Sequence, residues 1–185
     1  MSVKQTFQTR RAYRSLEPVE ITEELIRDLA ESARLTPSCF NNQPWRFVFA
    51  HDPEVLRKLH GAMSRGNDWV QAASMIIAVF SREDLDCRIR GRNYYLFDTG
   101  MATAFIILRA TELGLVAHPI AGYKEDQVKE ILGIPEDMKV ITLVIVGEHS
   151  EAIGPLLTEK QVESEKERPE RLPLEEFAYV NAFRG

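Results

Sequence analysis

The chain has 185 residues, of which 44% are hydrophobic and 28% charged, with a formal net charge of −5 at pH 7. Such a composition suits an ordinary soluble domain long enough to bury a real core. The acidic balance argues against nucleic acid, which would call for a basic face. Two cysteines, Cys39 and Cys87, do not make a disulfide framework, so a reducing cytoplasm is the expected compartment. The opening MSVKQTFQTRR lacks the apolar centre of a signal peptide.

In chain order, Thr22 caps a helix whose apolar face is Leu25, Ile26, Leu29, Ala30 and Ala33. The pattern stops at Thr36-Pro37, and a loop follows that is crowded with hydrogen-bonding side chains: Ser38, Cys39, Asn41, Asn42 and Gln43, then Pro44 and Trp45. RFVFA (46–50) reads as a strand, and Asp52-Pro53 opens a second helix. SMIIAVFS (74–81) is a buried strand and REDLDCRIRGRN (82–93) a charged, exposed span. Residues 94–113 have the length of a membrane span but carry Asp98, Arg109 and Glu112, which are costly in hydrocarbon. No membrane partner is therefore expected. A helix apolar nearly all round fits better, buried in a core or a subunit interface, with Asp98 a helix-terminal or interface residue. LVAHPIAGY is extended, 124–132 form a short helix closed by Gly133, and KVITLVIVGEH (139–149) is the strongest strand.

The fold class expected is α+β, a small mixed central sheet packed among helices. Residues 1–149 form the domain. Residues 150–185 form an extension whose charged, proline-punctuated start gives way to FAYVNAF, and its apolar end suits a crossing to another surface.

Several chemistries lack their motifs: there is no G-x-G-x-x-G, P-loop, H-E-x-x-H, G-x-S-x-G or C-x-x-C, and the four histidines lack ligand spacing, so no metal is expected. Three features remain. Arg10, Arg11 and Arg14 could grip a phosphate, since each guanidinium offers forked charge-assisted hydrogen bonds, or they could form a solvated basic turn. The 36–45 loop could line a flat heterocycle, or it could be a polar loop with Trp45 in the core. HPIAGY (118–123) could bring a backbone close to a ligand at Gly122, or it could be a plain strand end.

Taken together, RRAYR, TPSCFNNQPWRF, FDTGMATAFIIL, LGLVAHPIAGY, KEILGIPED and ITLVIVGEH resemble the nitroreductase family of flavin enzymes over roughly residues 7–149, with an echo at RLPLEEF (171–177). The resemblance implies an FMN-binding homodimer with its sites shared between subunits and the extension completing the partner. It implies that Arg10 and Arg11 meet the FMN phosphate, with Arg171, or Arg168 in its place, as a further ligand. Arg14 would reach the pyrimidine edge, Ser38, Cys39 and Asn41 would touch flavin from the opposite subunit, and Ala121 and Gly122 would present N–H groups near the ring nitrogen that exchanges hydride. The implied activity is NADH- or NADPH-dependent reduction of a small-molecule acceptor, nitro, quinone or similar, by ping-pong kinetics with no side-chain acid or base. A flavin carrier, or the same fold doing dehalogenation or flavin fragmentation, are the alternatives. Ala12 stands where many relatives have Ser, and Cys39 and Phe40 replace smaller residues. Cys39 is either a reactive thiol or a small buried one.

Overall fold

The computed structural model describes residues 1–183. Its elements are α1 (Val3–Thr9), β1 (Leu16–Glu17), α2 (Glu23–Arg34), β2 (Arg46–Ala50), α3 (Pro53–Gly61), β3 (Met75–Ser81), β4 (Arg88–Ile89), β5 (Arg92–Asn93), α4 (Tyr95–Glu112), β6 (Leu115–Ile120), α5 (Glu125–Leu132), β7 (Lys139–His149) and α6 (Glu159–Lys166).

The caps expected from sequence are made. Thr22 Oγ1 accepts the Leu25 N–H at 3.1 Å, and Asp52 Oδ1 accepts from Glu54 and Val55 at 2.9 and 3.1 Å. Gly133 ends α5 at φ 65°, a left-handed conformation that a side chain would resist.

The longest strand, β7, organises the sheet. It pairs with β6 through residues 143–148 and with β3 through 139–146, so these neighbours lie on opposite edges. β1 takes up the β3 edge beyond its end, at Glu148 and His149, and β2 pairs outside β3. Every pairing in this sheet is antiparallel, where a mixed sheet was expected. β3 and β6 both run against β7 and so point the same way, but β7 lies between them, and the crossover through α4 therefore makes no parallel pair.

All seven residues of β3 are buried, because helices cover both faces of the sheet. Alternate side chains separate accordingly. Ile76 and Ile145 pack with Leu56 and Leu59 of α3 and Val128 of α5. Ile77 and Val144 pack with Leu29 of α2 and Ile106 of α4 on the other side, where Trp45 also lies. Each fully buried Leu or Ile stabilises by roughly 2 kcal/mol.

The long helix α4 is less buried than its composition suggested. Ala102, Ile106 and Ala110 are buried, whereas Leu96, Phe97 and Phe105 are exposed. One face of the helix meets the sheet and α2, α1 also lies against it, and Leu96, Phe97 and Phe105 are left open among the described residues. None of the described helices is long and apolar enough to cross a membrane.

The extension divides in two. Its first half, through α6, folds back on its own chain. From Leu172 onward its large apolar side chains, Leu172, Leu174, Phe177, Val180 and Phe183, are exposed.

Candidate functional site

α1 is fixed by a capping box, in which Ser2 Oγ accepts from the Gln5 N–H and Gln5 Oε1 accepts from the Ser2 N–H. It ends at Arg10, and the strip Arg10–Arg14 then runs extended along the returning C-terminal segment. The anchor is Glu165, a buried carboxylate that accepts the N–H groups of Arg14 and Ser15 at 2.8 and 3.0 Å. Arg11 Nη2 donates to the carbonyls of Ser164 and Glu165 at 3.0 and 3.2 Å, and its guanidinium lies 4.5 Å from the Tyr13 ring centre. Arg168 Nη2 donates to the Arg10 carbonyl at 2.8 Å and also to that of Gln8.

These bonds shape a cleft of about 130 Å³ lined by Arg10, Arg11, Ala12, Arg14, Ser164, Arg168, Pro169 and Arg171. Four residues expected to face one ligand are thus brought together, and Arg168 joins them. The lining holds five guanidinium groups and no carboxylate. Burial holds the Arg10 pKa below its ordinary value, and the charges of Arg168 and Arg171 push it the same way. Arg14 is likewise lowered by burial, with the charge of Glu165 opposing. Such crowding is costly unless an anion enters.

The end of β6 is connected to this cleft through side chains. The Arg14 guanidinium sits 5.8 Å from the Trp69 ring centre, Trp69 Nε1 donates to Asn67 Oδ1 at 3.3 Å, and Asn67 Nδ2 donates to the Gly122 carbonyl at 2.8 Å. A Cβ on Gly122 would lie 2.5 Å from Asn67 Nδ2, so any larger residue here must push the Asn67 amide aside. The N–H groups of Ala121 and Gly122 make no hydrogen bond to the described residues.

Beneath the strip, His118 is buried, its Nδ1 lies 3.0 Å from the Tyr13 carbonyl, and its ring lies 4.9 Å from Trp69. Burial pushes its pKa down to about 4, with the charges of Arg14 and Arg10 acting the same way and the Tyr13 hydrogen bond and Glu165 opposing. A neutral imidazole donating from Nδ1 to that carbonyl suits the place.

Ser38, Cys39 and Asn41 lie elsewhere. Within the described residues, no hydrogen bond joins their loop to the arginine strip. The Cys39 N–H donates to Asp98 Oδ2 at 2.6 Å, and Asp98 stands buried in the first turn of α4, as its expected helix-terminal place requires. Cys39 is joined to Cys87 in a disulfide with Cα atoms 6.2 Å apart, which corrects the expectation of two unpaired thiols and removes Cys39 as a free nucleophile. The pairing was hidden because the partners are 48 residues apart and meet only when the charged span folds over the loop.

Sequence reasoning gave no role to Glu165, Ser164, His118, Asn67 or Trp69. The isolated acid of α6 carries no motif, and only the return of the tail gives it a role.

The fold, two helical layers on an antiparallel sheet with an arginine-lined cleft, is that of nitroreductases. The sequence profile of the Nitroreductase family matches residues 7–68 and 63–148, and the chain belongs to that family. An Archaeoglobus fulgidus protein provisionally named NADH dehydrogenase/NAD(P)H nitroreductase is 30% identical over 145 residues, 75% of this chain and 80% of that one. The iodotyrosine deiodinase of Haliscomenobacter hydrossis is 28% identical over 166 residues, 75% of each chain. A solved structure described as an oxidoreductase containing FMN is 29% identical with a TM-score of 0.85, covering 100% of this chain and 94% of that one.

Proposed function

We propose that the protein is an FMN-dependent oxidoreductase, a homodimer that takes hydride from NADH or NADPH and passes it to a nitro, quinone or similar small acceptor, working in the cytoplasm. The observation that carries this reading is the cation-lined cleft: five guanidinium groups around one small space, with no acid among them, fit a phosphate dianion. The similarity to an FMN-containing oxidoreductase supports the choice of phosphate-bearing ligand.

Arg10, Arg168 and Arg171 would bind the phosphate. Arg11 already spends donors on the Ser164 and Glu165 carbonyls, so it braces the cleft as well as charging it. Arg14, at the Trp69 end, would stand by the pyrimidine edge and stabilise negative charge there. The uncommitted N–H groups of Ala121 and Gly122 would orient the ring. Bound FMN would supply two-electron hydride exchange, so no side chain need act as acid or base.

Ser38, Cys39 and Asn41 would reach the ring of the other subunit. The exposed apolar side chains of Phe7, Leu35 and Phe105, and the apolar end of the tail (172–183), support a dimer in which residues 150–185 complete the partner. A second reading keeps the flavin and changes the acceptor: similarity to a deiodinase supports reductive dehalogenation. Exposed Phe40 suits a third, a carrier whose ring face is covered.

The test is an anaerobic titration of flavin-loaded protein with NADPH and then NADH, followed by visible absorbance. Stoichiometric bleaching is expected. Bound flavin that neither nucleotide bleaches points to the carrier, and a protein that binds no flavin contradicts the proposal.

A further inference from the structure

The loop 36–44 is strained. Phe40, Asn41 and Gln43 adopt φ of 48°, 59° and 50°, a left-handed conformation that residues with side chains rarely take. Three such residues within four need an external constraint. Four hydrogen bonds are internal to the loop, from the Gln43 N–H to Ser38 Oγ at 3.0 Å, from Gln43 Nε2 to the Asn41 carbonyl at 3.2 Å, and from the Asn41 and Asn42 N–H groups to the Ser38 and Cys39 carbonyls, each at 3.0 Å.

Three further links converge on one short region, residues 86–98. They are the Cys39 N–H to Asp98 bond, the Asn42 Nδ2 to Asp86 Oδ1 bond at 3.2 Å, and the Cys39–Cys87 disulfide. The polar pair is a poor clamp on its own. Asp86 Oδ2 is buried without a hydrogen-bond partner, and the Asp98 pKa is raised by burial and by the neighbouring Asp86. Two carboxyls share a place with too few donors. Of these three links the covalent bond alone is beyond competition from solvent; at the far end of the loop Ser81 Oγ donates to the Pro44 carbonyl at 2.9 Å, which fixes residue 44 but not 39–43. The disulfide ends on the residue preceding Phe40, which is 83% exposed.

We infer that Cys39–Cys87 is a redox site whose reactant is a dithiol, and that its opening releases the 36–44 loop and the 82–94 span from one another. Both cysteines are only partly buried, so the bridge lies near the surface. A thiolate of the dithiol attacks one sulfur, forms a mixed disulfide and expels the other cysteine as thiolate. The second thiol of the reagent then displaces the mixed disulfide. The reagent leaves as its own disulfide, and two electrons and two protons end on Cys39 and Cys87. With the bridge open, Phe40 relaxes from its left-handed conformation and carries the loop with it. In the cytoplasm proposed above disulfides are commonly transient and redox-sensing, which suits a bridge placed between a strained loop and a charged surface span. That the loop faces a ligand rests on the function proposed above; the clamp itself does not.

The experiment compares the full-length protein before and after dithiothreitol, without added flavin. Thiol titration in denaturant is expected to give none in protein equilibrated with oxidised glutathione and two after reduction. Hydrogen exchange followed by mass spectrometry is expected to quicken at least tenfold on reduction in 36–44 and 82–94, with 75–81 and 139–149 unchanged. Cys87→Ser is expected to exchange fast with or without the dithiol; if it does not fold, the wild-type pair of states carries the test alone. Free thiols that glutathione disulfide leaves untouched, or equal exchange in both states, overturn the inference. A protein that binds no FMN yet shows the redox-dependent exchange sinks the proposed function and keeps the clamp; the reverse result sinks only the clamp.

Discussion

The arginine cleft and the 36–44 loop are held by opposite means. The cleft is built within one chain around one buried part, the Glu165 carboxylate under the strip, with carbonyls gripped by Arg11 and Arg168 and a part-buried side-chain relay from Arg14 to Gly122. The loop is strained, exposed at Phe40, and tied to the rest by a disulfide and a few polar bonds. One region is a cation-lined cleft assembled within a single chain. The other has the form of a surface that meets something outside its own chain. In the proposed function the phosphate end lies within a single chain, and the ring end needs the second subunit of the proposed dimer.

Four perturbations sharpen the contrast, from the largest expected effect to the smallest. Glu165→Ala leaves two buried N–H groups without an acceptor, which costs about 3 kcal/mol in stability by denaturant unfolding and frees α6 from the strip. If stability is unchanged, the tail does not anchor the cleft.

Acid should weaken the cleft region through His118. Its folded pKa is depressed, so its neutral form is fully compatible with the fold above about 6.5. As pH falls below that, the unfolded chain binds a proton that the folded one refuses, and stability drops until pH reaches about 4. The ceiling on that loss is about 3 kcal/mol. His118→Gln should flatten the stability profile between these pH values; an unaltered slope removes His118 as its source.

Arg10→Ala removes one charge-assisted donor and should weaken FMN binding by about 30-fold, equivalent to about 2 kcal/mol. The fold should survive, since Arg10 is crowded by Arg168 and Arg171 rather than paired. Fluorescence titration and a melting curve read the two effects separately. Gly122→Ala pushes a methyl against Asn67 Nδ2 and should cost about 1 kcal/mol in stability while disturbing the relay to Arg14. A variant with wild-type stability and flavin affinity shows the relay to be unimportant.

Legibility in the sequence followed the range of the forces. Local signals were readable: the caps at Thr22 and Asp52, the stop at Gly133, and the apolar runs of β3 and β7. The arginines and Gly122 stood out as residue types that suit a ligand. What failed depended on contacts distant in the chain. α6 carries one buried residue, Glu165, and no helical apolar stripe that would announce it. Cys39 and Cys87 gave no spacing to read, strand direction is invisible in a strand's own composition, and α4 showed an apolar circumference without showing which half the chain would cover.

The central claim is that the guanidinium cleft exists to hold a phosphate. The most direct test is to titrate the flavin-free protein with FMN and with riboflavin, which differ only in that phosphate, by flavin fluorescence at fixed ionic strength. FMN is expected to bind at least 100-fold more tightly, a difference of about 2.7 kcal/mol that charge-assisted contacts of this kind can supply. Equal affinity for the two flavins would contradict the account.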